Sequence, residues 1–216
     1  MGLTDFSFTP SEYVFLNGEK FSPKSEGFDS LALLCSDVSV NGPQLAVNLI
    51  LAAILANELE GVLEVSIQEK KKLFGSGLAR DIYLRKISPP PNWSGYTLES
   101  AVMFIASNLM AQQNHTLYNV VYLLLAQDRP DPWQKIVELV EWGLASSNWL
   151  IPVEGEAAAA FSTPFICPAK VRDLALEQPG EPMAGLLLDL QQSRSPSRQV
   201  LVNEIERALK DRKSKK

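Results

Sequence analysis

The apolar pattern of the chain changes period several times, and those changes mark out its elements. Over 44–60, QLAVNLILAAILANELE, apolar side chains fall on nearly every face of a helix, the mark of one enclosed on all sides. Pro43 suits its first turn and Gly61 its C-cap. VLEVSIQ (62–68) then alternates in part, and IYLRKI (82–87) is the expected partner strand across EKKKLFGSGLARD. Two further helices are expected over 97–110 and 116–127, with Thr97 and Thr116 as N-caps. DRPDPW opens another, carried on by IVELVEWGLAS. NWLIPV (148–153) and AAAFSTPFI (158–166) read as a second hairpin, followed by helical segments in AKVRDLALE, EPMAGLLLDLQQ and RQVLVNEIERALKDRK. Upstream, SLALLCSDV (30–38) is expected to be a short helix stopped by NGP at 41–43.

A helix, a Gly and a hairpin therefore occur twice, with Gly61 and Gly143 in corresponding places. This is the shape of a winged helix-turn-helix unit. The expected fold is mostly α: a single helical globule with two small β-hairpins. Residues 1–30, aromatic and rich in Ser, Pro and Gly, are expected to be an extended arm laying Phe6, Phe8, Tyr13 and Phe15 on the body. Residues 31–209 would form the helical domain, and 210–216 a basic tail.

Composition adds limits. With 46% apolar and 21% charged residues the chain resembles an ordinary soluble globular protein. A net charge of −5 disfavours a broad nucleic-acid surface, because phosphate repels it. Cys35 and Cys167 are the two cysteines, expected as buried free thiols in a reducing compartment. The N-terminal MGLTDFSFTP lacks the charged leader and apolar core of a signal peptide. The run from Leu45 to Ala56, interrupted by Asn48, is expected to be too short to span a bilayer. A cytoplasmic location follows as the expectation.

No catalytic signature accompanies this pattern. His115 is the single histidine, in QQNHTLYN, and is expected to be a polar turn residue. One His and two distant Cys build no zinc site of usual spacing, and neither a cofactor nor a catalytic residue is expected. Two basic clusters stand out. Lys70, Lys71 and Lys72 adjoin Leu73 and Phe74 at the first hairpin turn, and the C-terminus carries Lys210, Arg212, Lys213, Lys215 and Lys216. A solvated turn and a dipole-matched helix end explain each cluster singly. Together they are candidate contacts with an anionic membrane, at about 1 kcal/mol per basic residue near lipid.

In the order of LILAAILANELEGVLEVS, KKKLFGSGLARDIYLRKI, TLESAVMFIA and IVELVEWGLASSNWLI, the chain resembles the Golgi phosphoprotein 3 family over roughly residues 31–170. The resemblance implies a mostly helical globule and a non-enzymatic role, with phosphoinositide binding at membranes and capture of protein tails. The family's headgroup pocket uses a Trp and several Arg, and the positions matching three of the Arg here are Ile50, Asp131 and Gln134. Its second hairpin, a contact for membrane or another subunit, corresponds to about 148–166 and makes Trp149 a further candidate. The expected function is that of a non-catalytic interaction or adaptor protein with a protein partner, less surely a peripheral membrane contact, and with self-association open. The alternative is a tandem winged-helix protein of a nucleic-acid complex. Nucleic acid ranks second because the helices before the expected wings are apolar and acidic, not basic.

Overall fold

The computed structural model describes residues 2–71, 78–89, 91, 93, 95–125, 130–153, 165–192 and 196–214. Near the N-terminus, Thr9 starts helix α1 (Pro10–Leu16). Its hydroxyl accepts from the Glu12 N–H while the Glu12 carboxylate accepts from the Thr9 N–H. This is a reciprocal capping box with Pro in the first turn. Every residue of α1 is buried, and a short α2 (Gly18–Phe21) follows. The extended arm expected over 1–30 is thus corrected. Its aromatics Phe8, Tyr13 and Phe15 do pack inside, but Tyr13 and Phe15 do so from a helix that the T-P-S-E box nucleates.

The helix expected over 30–38 is also corrected. Strand β1 (Ser30–Ala32) pairs antiparallel with β2 (Ser39–Asn41), and a Leu33 N–H to Val38 carbonyl bond closes the turn. Asn41 then caps α3 (Gly42–Leu59) by accepting from the Gln44 N–H. Leu49 and Ile54 are fully buried along α3, and Leu55 is partly so. By length and composition this 18-residue helix is long and apolar enough to cross a membrane, contrary to the expectation from its shorter apolar run. Yet 67% of it lies buried inside the protein, packed against α1, α2 and elements that follow.

Gly61 ends α3 at φ +66°, with Gly61 N–H bonded to the Glu58 carbonyl and Val62 N–H to the Asn57 carbonyl. This Schellman turn delivers the chain into β3 (Leu63–Lys71), which pairs with β4 (Leu78–Lys86) in the expected antiparallel hairpin. Helices α4 (Leu98–Ala111) and α5 (Leu117–Leu124) begin at the expected caps, the Thr97 and Thr116 hydroxyls accepting from Ser100 and Asn119 N–H groups. Next come α6 (Gln134–Ser146), the two-residue strands β5 (Ile151–Pro152) and β6 (Phe165–Ile166), α7 (Ala169–Leu176), α8 (Met183–Gln192) and α9 (Pro196–Ser214). The architecture is mostly helical with small antiparallel hairpins, β1–β2 being one more than expected.

The second helix–Gly–hairpin unit differs from the first in its joint. Helix α6 runs through Gly143 to Ser146, and the left-handed residue of its Schellman turn is Asn148, at φ +61°. Asn148 and Trp149 N–H groups bond the Ala145 and Leu144 carbonyls. Gly143 instead answers a close approach, since a Cβ there would lie 3.1 Å from the Tyr96 carbonyl oxygen and 3.2 Å from Glu12 Oε1.

Cys35 and Cys167 are joined in a disulfide, with Cα atoms 5.3 Å apart across a separation of 132 residues. The expected free thiols are therefore corrected: the β1–β2 turn carries Cys35 to the segment that enters α7. The cross-link removes freedom from a long loop of the unfolded chain, an effect worth about 2–5 kcal/mol. Cys167→Ala is expected to lower the unfolding free energy by about that amount. Reductant should lower the melting temperature of the wild type and leave the variant unchanged, as followed by circular dichroism.

Candidate functional site

The first hairpin carries the predicted basic contact. Its inward face holds Leu63, Val65 and Ile67 on β3 opposite Lys86, Leu84 and Ile82 on β4. Leu63, Ile82 and Leu84 are buried, whereas Ile67 is 43% exposed. The next rung on that face is an ion pair, Glu69 with Arg80 at 3.1 Å, its side chains about half exposed. Core packing therefore ends at the Ile67–Ile82 rung, and Gln68, Glu69 and Arg80 beyond it are exposed. Lys70 and Lys71 occupy its outermost described rungs, opposite Ala79 and Leu78. Lys72, Leu73 and Phe74 lie outside the described residues. On the other face Glu64 pairs with Arg85. Cross-strand charge pairs on both faces hold the register.

Among the described residues, Lys213 and Trp149 do not join the hairpin in one surface. Lys213 belongs to α9, so residues 210–214 are helical where a tail was expected. Its ammonium lies 3.3 Å from Asp131 and 3.6 Å from Asp29, tying the helix end to the entry of α6 and the approach to β1. Lys215 and Lys216 lie outside the described residues. Trp149, partly buried, packs edge-on against Phe8 at 5.1 Å between ring centres and so faces the interior. Of the positions matching the family's headgroup arginines, Ile50 is fully buried in α3, and Asp131 serves Lys213. His115 sits before α5: its carbonyl accepts from Leu84 N–H and its ring meets Tyr83 edge-on at 5.4 Å.

Two glutamates that the sequence did not single out lie together in the interior with raised pKa values. Glu99, fully buried on α4, accepts from the Ser11 N–H and hydroxyl, both at 2.9 Å. Glu12, 4% exposed, uses one oxygen to cap α1, while Oε1 is buried without a hydrogen-bond partner. Beside them Asn57 donates to the Ala53 and Glu99 carbonyls and accepts from the Trp93 indole at 3.0 Å. Burial, with repulsion from Glu99 added, raises the Glu12 pKa from 4.5 to about 7. Burial likewise raises Glu99, against its bonds from Ser11. Both carboxyls are enclosed in the interior, where their ionisation bears on stability. The T-x-x-E box was the available signal for Glu12; nothing local marks Glu99, which tertiary packing brings to α1.

A second group was equally invisible in sequence. Leu55, Glu58 and Leu59 of α3, at helical spacing, face Glu181, Pro182, Gly185, Leu186 and Asp189 at the start of α8 across a cleft of about 540 Å³. Its floor is apolar and its charged lining residues are carboxylates. Glu58 accepts from the Val65 N–H, and burial raises its pKa. Among the described residues no group of three or more His, Cys, Asp or Glu is placed to hold a metal ion. No family model, curated protein or solved structure matches the chain at a significant level.

The buried glutamates make stability depend on pH with a definite sign. A carboxyl whose folded pKa is raised stabilises the fold fully below the unfolded value of 4.5, and that contribution is lost as pH rises towards about 7. Glu141, desolvated on α6 and also raised to about 7, acts in the same direction. Glu12→Gln keeps an acceptor for Thr9 and removes the charge. It is expected to raise the unfolding free energy at pH 8 by up to about 3 kcal/mol and to flatten its decline between pH 5 and 8. Urea titrations across that range measure both effects.

Proposed function

We propose that this is a non-catalytic interaction protein whose β3–β4 hairpin is the element that reaches a partner. The observation that carries this is the continuation of the hairpin beyond the Ile67–Ile82 rung, where Gln68, Glu69 and Arg80 are exposed, with Lys70 and Lys71 at its outer described rungs. In sequence Lys72, Leu73 and Phe74 continue it, joining three cations to two large apolar side chains. Such a tip suits an acidic protein surface that also offers an apolar pocket. Charge steers the encounter, and apolar burial holds it at about 25 cal/mol per Å².

An anionic membrane would present the same charge, and the net charge of −5 opposes adsorption over a broad face. Specific phosphoinositide binding gains no support from buried Ile50 or from Asp131. The winged-helix alternative needs an accessible recognition helix, and α3, which precedes the hairpin, is enclosed along most of its length. A disulfide over 132 residues favours an oxidising compartment over the cytoplasm expected from free thiols.

The test replaces Lys70, Lys71 and Lys72 together by Glu, in a protein whose stability is checked by circular dichroism. A photo-crosslinking residue at exposed Gln68 is expected to capture discrete protein partners from cell extract, and the Glu variant to lose them. Phosphatidylserine-rich vesicles and a DNA duplex are run beside it at matched salt. Capture that the Glu substitutions leave unchanged would overturn the hairpin as the contact, and a gel shift on DNA alone would restore the nucleic-acid alternative.

A further inference from the structure

We infer that the outer edge of β3 takes an extended segment of a partner protein as an added antiparallel strand, and that the residues following in that segment enter the acid-lined cleft between α3 and α8. This rests on the hairpin as contact element and says how the contact is made. Strand β3 pairs with β4 alone, in a two-stranded sheet. Val65 and Leu84 face each other across it, and both turn their N–H groups away from the pair. Val65 donates to the Glu58 carboxylate, and Leu84 to the His115 carbonyl at 2.9 Å. Their pair is therefore of the non-hydrogen-bonded kind, and the two kinds alternate along an antiparallel ladder. Ile67–Ile82 and Glu69–Arg80 are then non-bonded too, so Ile67 and Glu69 turn both N–H and carbonyl outward. Val62, of the opposite parity, accepts from the Ile87 N–H, as the alternation requires. Among the described residues no group meets the Ile67 or Glu69 N–H.

Backbone donors and acceptors spaced along an edge are matched by another extended chain, which is how strand addition recognises peptides. Two features fix the direction and composition of that chain. Glu58 already holds the Val65 N–H, so pairing stops at Ile67 and the added strand must turn away there. Glu58 also lines the cleft, with Leu55, Leu59 and Leu186 as its apolar part and Glu181 and Asp189 as further carboxylates. Because β3 runs from Val65 beside Glu58 towards Glu69, a strand antiparallel to it arrives at Glu58 with its C-terminal end. From Ile67 to Val65 is about 7 Å along the strand, a distance the next residues cover. The partner segment thus offers an apolar residue to Ile67, which is 43% exposed. Where it leaves the strand it carries Lys or Arg beside a large apolar side chain. Opposite charge and apolar burial then act where backbone pairing ends.

The probe is a fluorescent synthetic peptide in which Val alternates with Thr and is followed, at the C-terminal end, by Leu and Arg. A control peptide carries the same Leu and Arg at its N-terminal end. The first is expected to bind the full chain, read by anisotropy, and the control to bind at least about tenfold more weakly. Amide hydrogen exchange should show the Ile67 and Glu69 N–H groups exchanging fast in the free protein and slowly in the complex, with Gln68 between them little changed. Glu69→Pro removes an outward N–H where an edge strand tolerates Pro. It should bind at least about tenfold more weakly than Glu69→Ala, which loses the same side chain and keeps the N–H. Glu181→Lys with Asp189→Asn should abolish the preference between the two peptides. Circular dichroism confirms that each variant folds. Binding weaker than about 1 mM, equal binding of both peptides by the wild type, or exchange at Ile67 and Glu69 that the peptide leaves unchanged overturns the inference. Partners captured through Gln68 that the Glu69→Pro protein still binds overturn strand addition alone and leave the hairpin as contact element.

Discussion

An apolar helix with no polar face can exist in water only inside other protein, and α3 imposes that constraint on the whole chain. Leu45, Leu49, Ile50, Leu51 and Ile54 are all fully buried although they point in different directions around the helix. Helices α1, α4, α6, α8 and α9 and strand β3 each pack on it. The single polar side chains along α3 are accommodated by bonds to backbone: Asn48 donates to the Phe21 carbonyl at 2.6 Å, and Asn57 to Ala53 and Glu99. The carbonyls so satisfied belong to the covering elements as well as to α3 itself. Each asparagine therefore fixes where a neighbour sits.

Covering α3 with a helix as short as α1 has an electrostatic cost. The first turn of α1 is buried, and its N–H groups need acceptors that water cannot supply. Thr9, Glu12 and Glu99 supply them, at the expense of placing two carboxyls side by side out of water. Gly143 belongs to the same arrangement, because any side chain there would press on Glu12 Oε1 and the Tyr96 carbonyl. A residue whose sequence context resembled a helix stop is in fact a packing requirement. The disulfide from Cys35 to Cys167 closes the other side, holding the β1–β2 hairpin to the start of α7.

What the sequence disclosed follows from how local each signal is. Helices α3 to α9 were legible because their periodicity, and for α4 and α5 their Thr caps, are written within a few residues, and β3–β4 because its alternation flanks a polar turn. The N-terminal helix was missed although T-P-S-E spells its box, since the aromatic, Pro- and Gly-rich surroundings of 1–30 outweighed four residues. SLALLCSDV was misassigned because a short apolar run fits a helix or a strand equally. The cysteine pairing, the Glu12–Glu99 pair and the α3–α8 cleft depend on residues far apart in sequence, such as Ser11 and Glu99 separated by 88 positions. No local pattern encodes them.

The cleft itself follows from where the covering of α3 ends. Helix α8 packs on α3 but leaves Glu58 and Leu59, in the last turn, exposed beside Leu55. The Schellman turn at Gly61 buries Val62 and brings the chain back under the core, and β3 then passes the last turn of α3, where Val65 N–H donates to the Glu58 carboxylate. The same backbone reversal leaves an apolar notch where α3 ends against α8. Glu58, Glu181 and Asp189 line the notch beside Leu55, Leu59 and Leu186.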